Sequence, residues 1–132
     1  MESLSAGGAA EQISPVGFDA TVERLKNAIE AAGLALFAEI DHAANARAAG
    51  LAMPPAIVLI YGHAKGGTPV MLAAPLTALD LPLRVLVQAR ADGQTAIAFH
   101  PIVAMLRGFG VAEDLAARLQ PAQQLLITAL AQ

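Results

Sequence analysis

Ala56-Ile57-Val58-Leu59-Ile60-Tyr61 is an unbroken run of β-branched and aliphatic residues, preceded by Pro54-Pro55 and followed by Gly62. Neither alternate set, Ala56/Val58/Ile60 or Ile57/Leu59/Tyr61, is polar. A strand here is therefore apolar on both faces and belongs inside a sheet. Its neighbours supply partners. Upstream, Leu34 to Asp41 alternates, with Leu34, Leu36, Ala38 and Ile40 on one face and Phe37, Glu39 and Asp41 on the other, the pattern of a half-buried strand. Downstream, Leu83 to Arg90 and Thr95 to His100 flank Asp92-Gly93, a strong hairpin-turn signal. Within the first of these, Leu83, Val85, Val87 and Ala89 oppose Arg84, Leu86, Gln88 and Arg90. Gln12 to Val16 reads as an edge strand, because Pro15 cannot donate to a central ladder.

Helices fill the intervals. Phe18, Val22, Leu25 and Ile29 share one face of a helix over about Asp19 to Ala32, with Asp19 as N-cap and Gly33 just past its end. His42 to Ala49 is a short alanine-rich helix ending at Gly50. Gly62 to Gly67 reads as a loop, and Thr68-Pro69 as the start of the next helix, which Pro75 kinks or ends. Ile102 to Arg107, Val111 to Leu119 and Pro121 to about Ala131 complete the set. This order predicts an α+β fold: a mostly antiparallel sheet with helices packed on one face and extra C-terminal helices.

The chain has 132 residues, 56% hydrophobic and 14% charged, which suits one domain and excludes a disordered tail. Residues 1–11, with Gly7-Gly8 among small neighbours, read as a flexible lead-in to a single domain over 12–132. Net charge is −3 and the eight Lys and Arg are scattered, so no nucleic-acid partner is expected. The absence of cysteine removes disulfides, thiolate metal sites and cysteine nucleophiles. No signal peptide or membrane segment is apparent, and a soluble cytoplasmic protein is expected.

Chemistry-bearing residues are few. The loop Gly62 to Thr68 lacks the lysine placement of a phosphate loop, since Gly67 stands before Thr68 and the lysine is Lys65. A weaker anion site from Lys65 and the amides of Gly66 and Gly67 is one reading, and a tight turn the other. His42, His63 and His100 each close a strand, and Asp41 precedes His42, but no metal-binding spacing links them, so no metal is expected. Asp80 lies in the apolar stretch Ala78 to Leu83, where its carboxylate must either bond amides in the turn or have its pKa raised.

Together the segments Thr21 to Lys26, Ala31 to Leu34, Ile40 to Ala43, Gly50-Leu51, Gly66 to Met71, Ala74-Pro75 and Leu79 to Arg84 resemble, in order, the domain-of-unknown-function family numbered 302. The resemblance covers about residues 12 to 110. It implies a small α+β domain with an antiparallel sheet, helices on one side and a tendency to dimerise. It carries no established activity. It directs attention to Asp41-His42, Gly66 to Met71 and Asp80 to Arg84. In two places the chain departs from the family pattern: Gly62-His63-Ala64 replaces the common Gly-Asn-Pro, and Phe99-His100-Pro101 replaces Asn-Asp-Pro.

The leading expectation is a homodimer that binds a small molecule or anion without turning it over. The candidate contacts are Asp41, His42, His63, Lys65, Gly66, Gly67, Thr68, Asp80 and Arg84. One alternative is an enzyme of unknown class using Asp41, His42 and Asp80. The other is a structural or protein-interaction module. No cofactor is legible. The dimer expectation rests on a mean hydropathy of +0.56, on a central strand apolar on both faces, and on Leu125, Leu126, Ile127 and Leu130 spreading round the last helix.

Overall fold

The computed structural model describes residues 4–131. Five strands, β1 (Ala10–Ile13), β2 (Ala35–Asp41), β3 (Ala56–Gly62), β4 (Leu83–Ala89) and β5 (Thr95–Phe99), form one antiparallel sheet in the order β1-β5-β4-β3-β2. Six helices connect or follow them: α1 (Phe18–Ala31), α2 (His42–Ala48), α3 (Ala64–Ala73), α4 (Ile102–Gly108), α5 (Glu113–Ala116) and α6 (Gln120–Leu130). Short 3-10 turns cover Pro75–Leu79 and Ala117–Leu119.

The expected α+β architecture is the one observed. One side of the sheet carries Ile57, Leu59 and Tyr61 of β3, Leu83, Val85 and Val87 of β4, and Ile97 and Phe99 of β5. Against these pack Val22, Leu25 and Ile29 of α1, Ile102 and Leu106 of α4, and Leu126 and Leu130 of α6. The other side is less covered: Ile40, Val58, Ile60, Leu86 and Ala98 are only half-buried. Tyr61 is fully buried, and its hydroxyl donates to the Ala122 carbonyl at 3.2 Å, tying β3 to α6. Gln123, also buried, bridges outward: its Oε1 accepts from the Ile102 amide and its Nε2 donates to the His100 carbonyl, both at 2.9 Å.

Local signals explain most boundaries. Gly33 adopts φ +74°, its amide bonds the Glu30 carbonyl, and the Leu34 amide bonds that of Ile29, a glycine-terminated helix end. Asp92 accepts from the Gln94 amide and Gly93 takes φ +86°, so the hairpin turn forms where expected. Pro75 ends α3 and opens the 3-10 turn.

Several expectations need correction. α1 begins one residue early, capped by Gly17, which leaves Asp19 in the first turn, where its charge favours the helix dipole. Ala10 and Glu11, expected in the lead-in, belong to β1, because Ala10 is buried opposite Phe99. The alternation of β2 is broken at Phe37. Leu36 pairs with Tyr61 but Ala38 pairs with Ile60, so the intervening residue bulges and the two sides of the strand exchange roles there. Glu39 thus faces the helices and accepts from Lys26 of α1 at 2.8 Å, a contact that raises the lysine pKa.

α3 starts at Ala64, four residues before the expected Thr68. The His63 side chain caps it, Nδ1 accepting from the Lys65 amide at 3.0 Å, and Pro69 lies inside the helix. The apolar excess of α6 is absorbed within the chain: Leu126 and Leu130 are fully buried, and Leu125 and Ile127 pack beside them. That helix therefore offers little argument for a partner.

A buried hydroxyl pair anchors the start of α1. Ser14 and Thr21 lie 2.6 Å apart, and Thr21 Oγ1 also donates to the Gly17 carbonyl at 2.8 Å. Thr21→Val is expected to lower stability by about 1–3 kcal/mol, because the buried Ser14 hydroxyl loses Thr21 and keeps only the Val16 amide, at 3.3 Å. Urea denaturation followed by circular dichroism measures this, and an unchanged midpoint would refute the assigned role.

Candidate functional site

A cleft of about 540 Å³ opens between the C-terminal end of β3, the start of α3, the Leu81–Leu83 segment and the start of α6. Its floor is apolar: Leu81, Leu83 and Leu119 are buried beneath it. Met71, Ala122 and Leu125 form half-buried walls, and Phe37, the bulged residue of β2, overhangs the mouth with half its surface exposed. Polar groups are confined to the rim, namely His63, Thr68 and Arg118. Gly66 packs close to Leu119: a Cβ at this position would lie 3.1 Å from Leu119 Cδ2, so a larger residue there needs that side chain to shift by a few tenths of an ångström. The adjoining Leu81–Pro82 peptide is cis.

Beside it, sharing only Leu83, is a second hollow of about 410 Å³ lined by Asp80, Arg84, His100, Ile102, Met105 and Gln123.

These hollows sort the residues singled out from sequence. His63, Gly66, Gly67 and Thr68 line the cleft. Lys65 lines neither hollow, and the amides of Gly66 and Gly67 are already bonded to the His63 carbonyl at 3.0 and 3.1 Å, so the segment read as either an anion loop or a tight turn is the first turn of a helix. Asp80 and Arg84 line the second hollow, together with His100. Asp41 and His42 are remote from both. Asp41 pairs with Ile57 whereas Ala35 pairs with Gly62, so they lie at opposite ends of β3, about 17 Å apart along the strand. Asp41 has its own task, its Oδ1 accepting from the Ala44 amide at 2.9 Å as the N-cap of α2. The acid–base set Asp41, His42 and Asp80 is thus not assembled. Among the described residues no three His, Asp or Glu side chains are placed to share a metal ion.

The segment Gly66 to Met71 supplies Met71 to the cleft, whereas Phe37, Arg118, Leu119 and Leu125 escaped sequence reasoning as site residues. Phe37, Leu119 and Leu125 look like core, and nothing local distinguishes Arg118 from any exposed arginine.

Fold and hollows together define a class: a one-sheet α+β domain with helices on one side and a concave apolar site at one end of the sheet. The chain belongs to the DUF302 family, described as a domain of unknown function, whose model matches residues 10–132. The fold is similar to the crystal structure of an uncharacterized conserved protein DUF302 from Bacillus stearothermophilus, with TM-score 0.78 and 20% identity over 96% of this chain and 98% of that one. The sequence is also 31% identical over 98 residues to Fluoride-specific ion channel FluC 1 of Brucella suis biovar 1 (strain 1330). The matched region is 73% of this chain but 39% of that protein. FluC 1 of Brucella abortus biovar 1 (strain 9-941) matches at the same identity, over 36% of its length. The chain thus spans well under half of these curated relatives. Among its own described residues, no helix is long and apolar enough to cross a membrane.

Proposed function

We propose that the domain is a cytoplasmic, non-catalytic binder of a small, mostly apolar molecule carrying one anionic group. The observation that supports this is the cleft, in which an apolar floor and walls sit below a rim holding His63, Thr68 and Arg118. Apolar lining with a few convergent polar groups is the usual make-up of a small-molecule site. The apolar body of the ligand lies against Leu81, Leu119 and Leu125, and its anion faces Arg118.

Anilinonaphthalene sulfonate has this chemistry and serves as the probe. Binding with fluorescence enhancement is expected, weakened about tenfold by Leu125→Trp or Met71→Trp, which fill the cleft, and by Arg118→Glu, which reverses the rim charge. Enhancement indifferent to all three substitutions would refute the reading. Native mass spectrometry of freshly purified protein reports any retained natural ligand.

The same reading includes a homodimer, now supported by the less covered sheet face rather than by α6. Ile40, Val58, Ile60 and Leu86 form an apolar centre there. A two-fold pairing of such faces buries them most simply. Leu86→Lys is expected to convert the dimer to monomer in sedimentation at micromolar concentration, with little effect of salt on the parent dimer. A parent chain that sediments as a monomer in dilute and concentrated salt alike would sink this part.

A second reading follows from the Brucella relatives: the domain works as a module that accompanies an ion channel. Saturable binding of fluoride ion, followed by fluorine magnetic resonance, would favour it.

A further inference from the structure

Asp80, Arg84 and His100 come from a turn, a strand and a strand end, and the sheet brings them to one hollow. The β4–β5 register pairs Leu86 with Ala98, so the end of β5, just before His100, lies beside the start of β4, which holds Arg84. None of the three side chains has a hydrogen-bond or ion-pair partner among the described residues, although Asp80 is half-buried. The turn does not use the Asp80 carboxylate; only its backbone amide is engaged, with the Thr77 carbonyl. In contrast, Gln123 at the back of the hollow spends both ends of its amide on backbone groups and is a fixed wall. Leu83, Ile102 and Met105 line the hollow from the helix side of the sheet with apolar surface, while Arg84, which alternates with Leu83 and pairs with Ile60, lines it from the other side.

We infer that this hollow is a second binding site, distinct from the apolar cleft, for a small zwitterion of the α-amino acid class with an apolar side chain. The chemistry is complementary group by group. Arg84 offers a planar donor fork to a carboxylate. Asp80, acceptor-only when ionised, takes an ammonium. The His100 imidazole donates or accepts between them, and the apolar wall receives the side chain. A simple anion would leave Asp80 opposed to it, and a simple cation would leave Arg84 opposed, so a ligand bearing both charges satisfies the site best.

The test is titration of the isotope-labelled full chain with L-leucine and L-methionine, followed by amide chemical shifts, beside the two half-molecules 4-methylpentanoate and 3-methylbutylamine. Shifts at Asp80, Arg84, His100 and Met105 are expected with the amino acids, each half-molecule binding about tenfold or more weakly for want of one charged contact. Arg84→Gln should weaken the amino acids and the acid but not the amine. Asp80→Asn should weaken the amino acids and the amine but not the acid. Both substitutions are on solvent-accessible side chains, so the fold is retained. No shift with either amino acid up to about 10 mM would overturn the inference, since affinity weaker than that is only about 3 kcal/mol. So would shifts confined to Met71 and Leu125 of the cleft, or amino-acid binding unchanged in both variants. Failure here leaves the sulfonate result in the cleft untouched, and the reverse also holds.

Discussion

Gln123→Leu is expected to destabilise the protein by about 2–5 kcal/mol, because it strips partners from two backbone groups at once. The Ile102 amide and the His100 carbonyl both bond this one side chain, at 2.9 Å each. Leucine matches glutamine roughly in volume, so the loss isolates hydrogen bonding from packing. Gln123→Glu keeps an acceptor for Ile102 but buries a charge and sets a second acceptor against the His100 carbonyl, so it should destabilise at least as much as leucine at neutral pH and recover as acid protonates the carboxylate. Urea titration followed by circular dichroism gives both values. A leucine variant within about 0.5 kcal/mol of the parent, the range of ordinary surface substitutions, would show that the junction of β5 and α4 does not depend on α6.

The second large effect concerns pH. Tyr61 is the chain's single tyrosine and there is no tryptophan, so ultraviolet absorbance reports on it alone. Burial raises its pKa far above the ordinary value near 10. The folded state thus holds the phenol neutral while the unfolded state ionises. The sign follows: this contribution to stability is fully present below pH about 10, and each further unit removes up to about 1.4 kcal/mol until the folded-state pKa is reached. Phenolate absorbance at 295 nm should stay flat as pH passes 10 and then rise together with loss of ellipticity at 222 nm. Ionisation near pH 10 with ellipticity unchanged would contradict the burial of Tyr61. Tyr61→Phe removes the absorbance signal and the bond to Ala122, at a cost of about 1 kcal/mol near neutral pH.

The elements legible in the sequence were those set by short-range physics. The run Ala56 to Tyr61 has no polar alternate and must be interior. Asp92-Gly93 turns the hairpin through a side-chain acceptor and a positive φ, both local properties. The four-three-four spacing of Phe18, Val22, Leu25 and Ile29 selects the buried face of α1 with no reference to what covers it. Where local signals compete, the stronger pattern is not always the one the fold uses. Thr68-Pro69 carries the marks of a helix start, yet His63 caps the chain earlier, and an N-cap histidine has no strong sequence signature. The bulge at Phe37 is invisible in an alternating strand, because it is decided by how β2 lies against β3.

The candidate site divides the same way. Residue types alone marked Asp41, His42, His63, Asp80 and His100 as worth watching, since titratable side chains are scarce in this chain. Which of them meet is a question of strand order and register, set by contacts between residues far apart in sequence. The order β1-β5-β4-β3-β2 brings the end of β5 beside the start of β4, and so His100 to Arg84 and Asp80. The direction of β3 sends Asp41 and His42 to the other end of the sheet, where Asp41 caps a helix. The sequence by itself determined which segments are strands and helices and which faces are apolar, because those follow from side-chain period and turn chemistry within a few residues. Only the tertiary structure decided that α6 is spent on the chain's own core, that one sheet face remains less covered, and that two hollows of opposite character share Leu83, because each depends on pairings that no local pattern encodes.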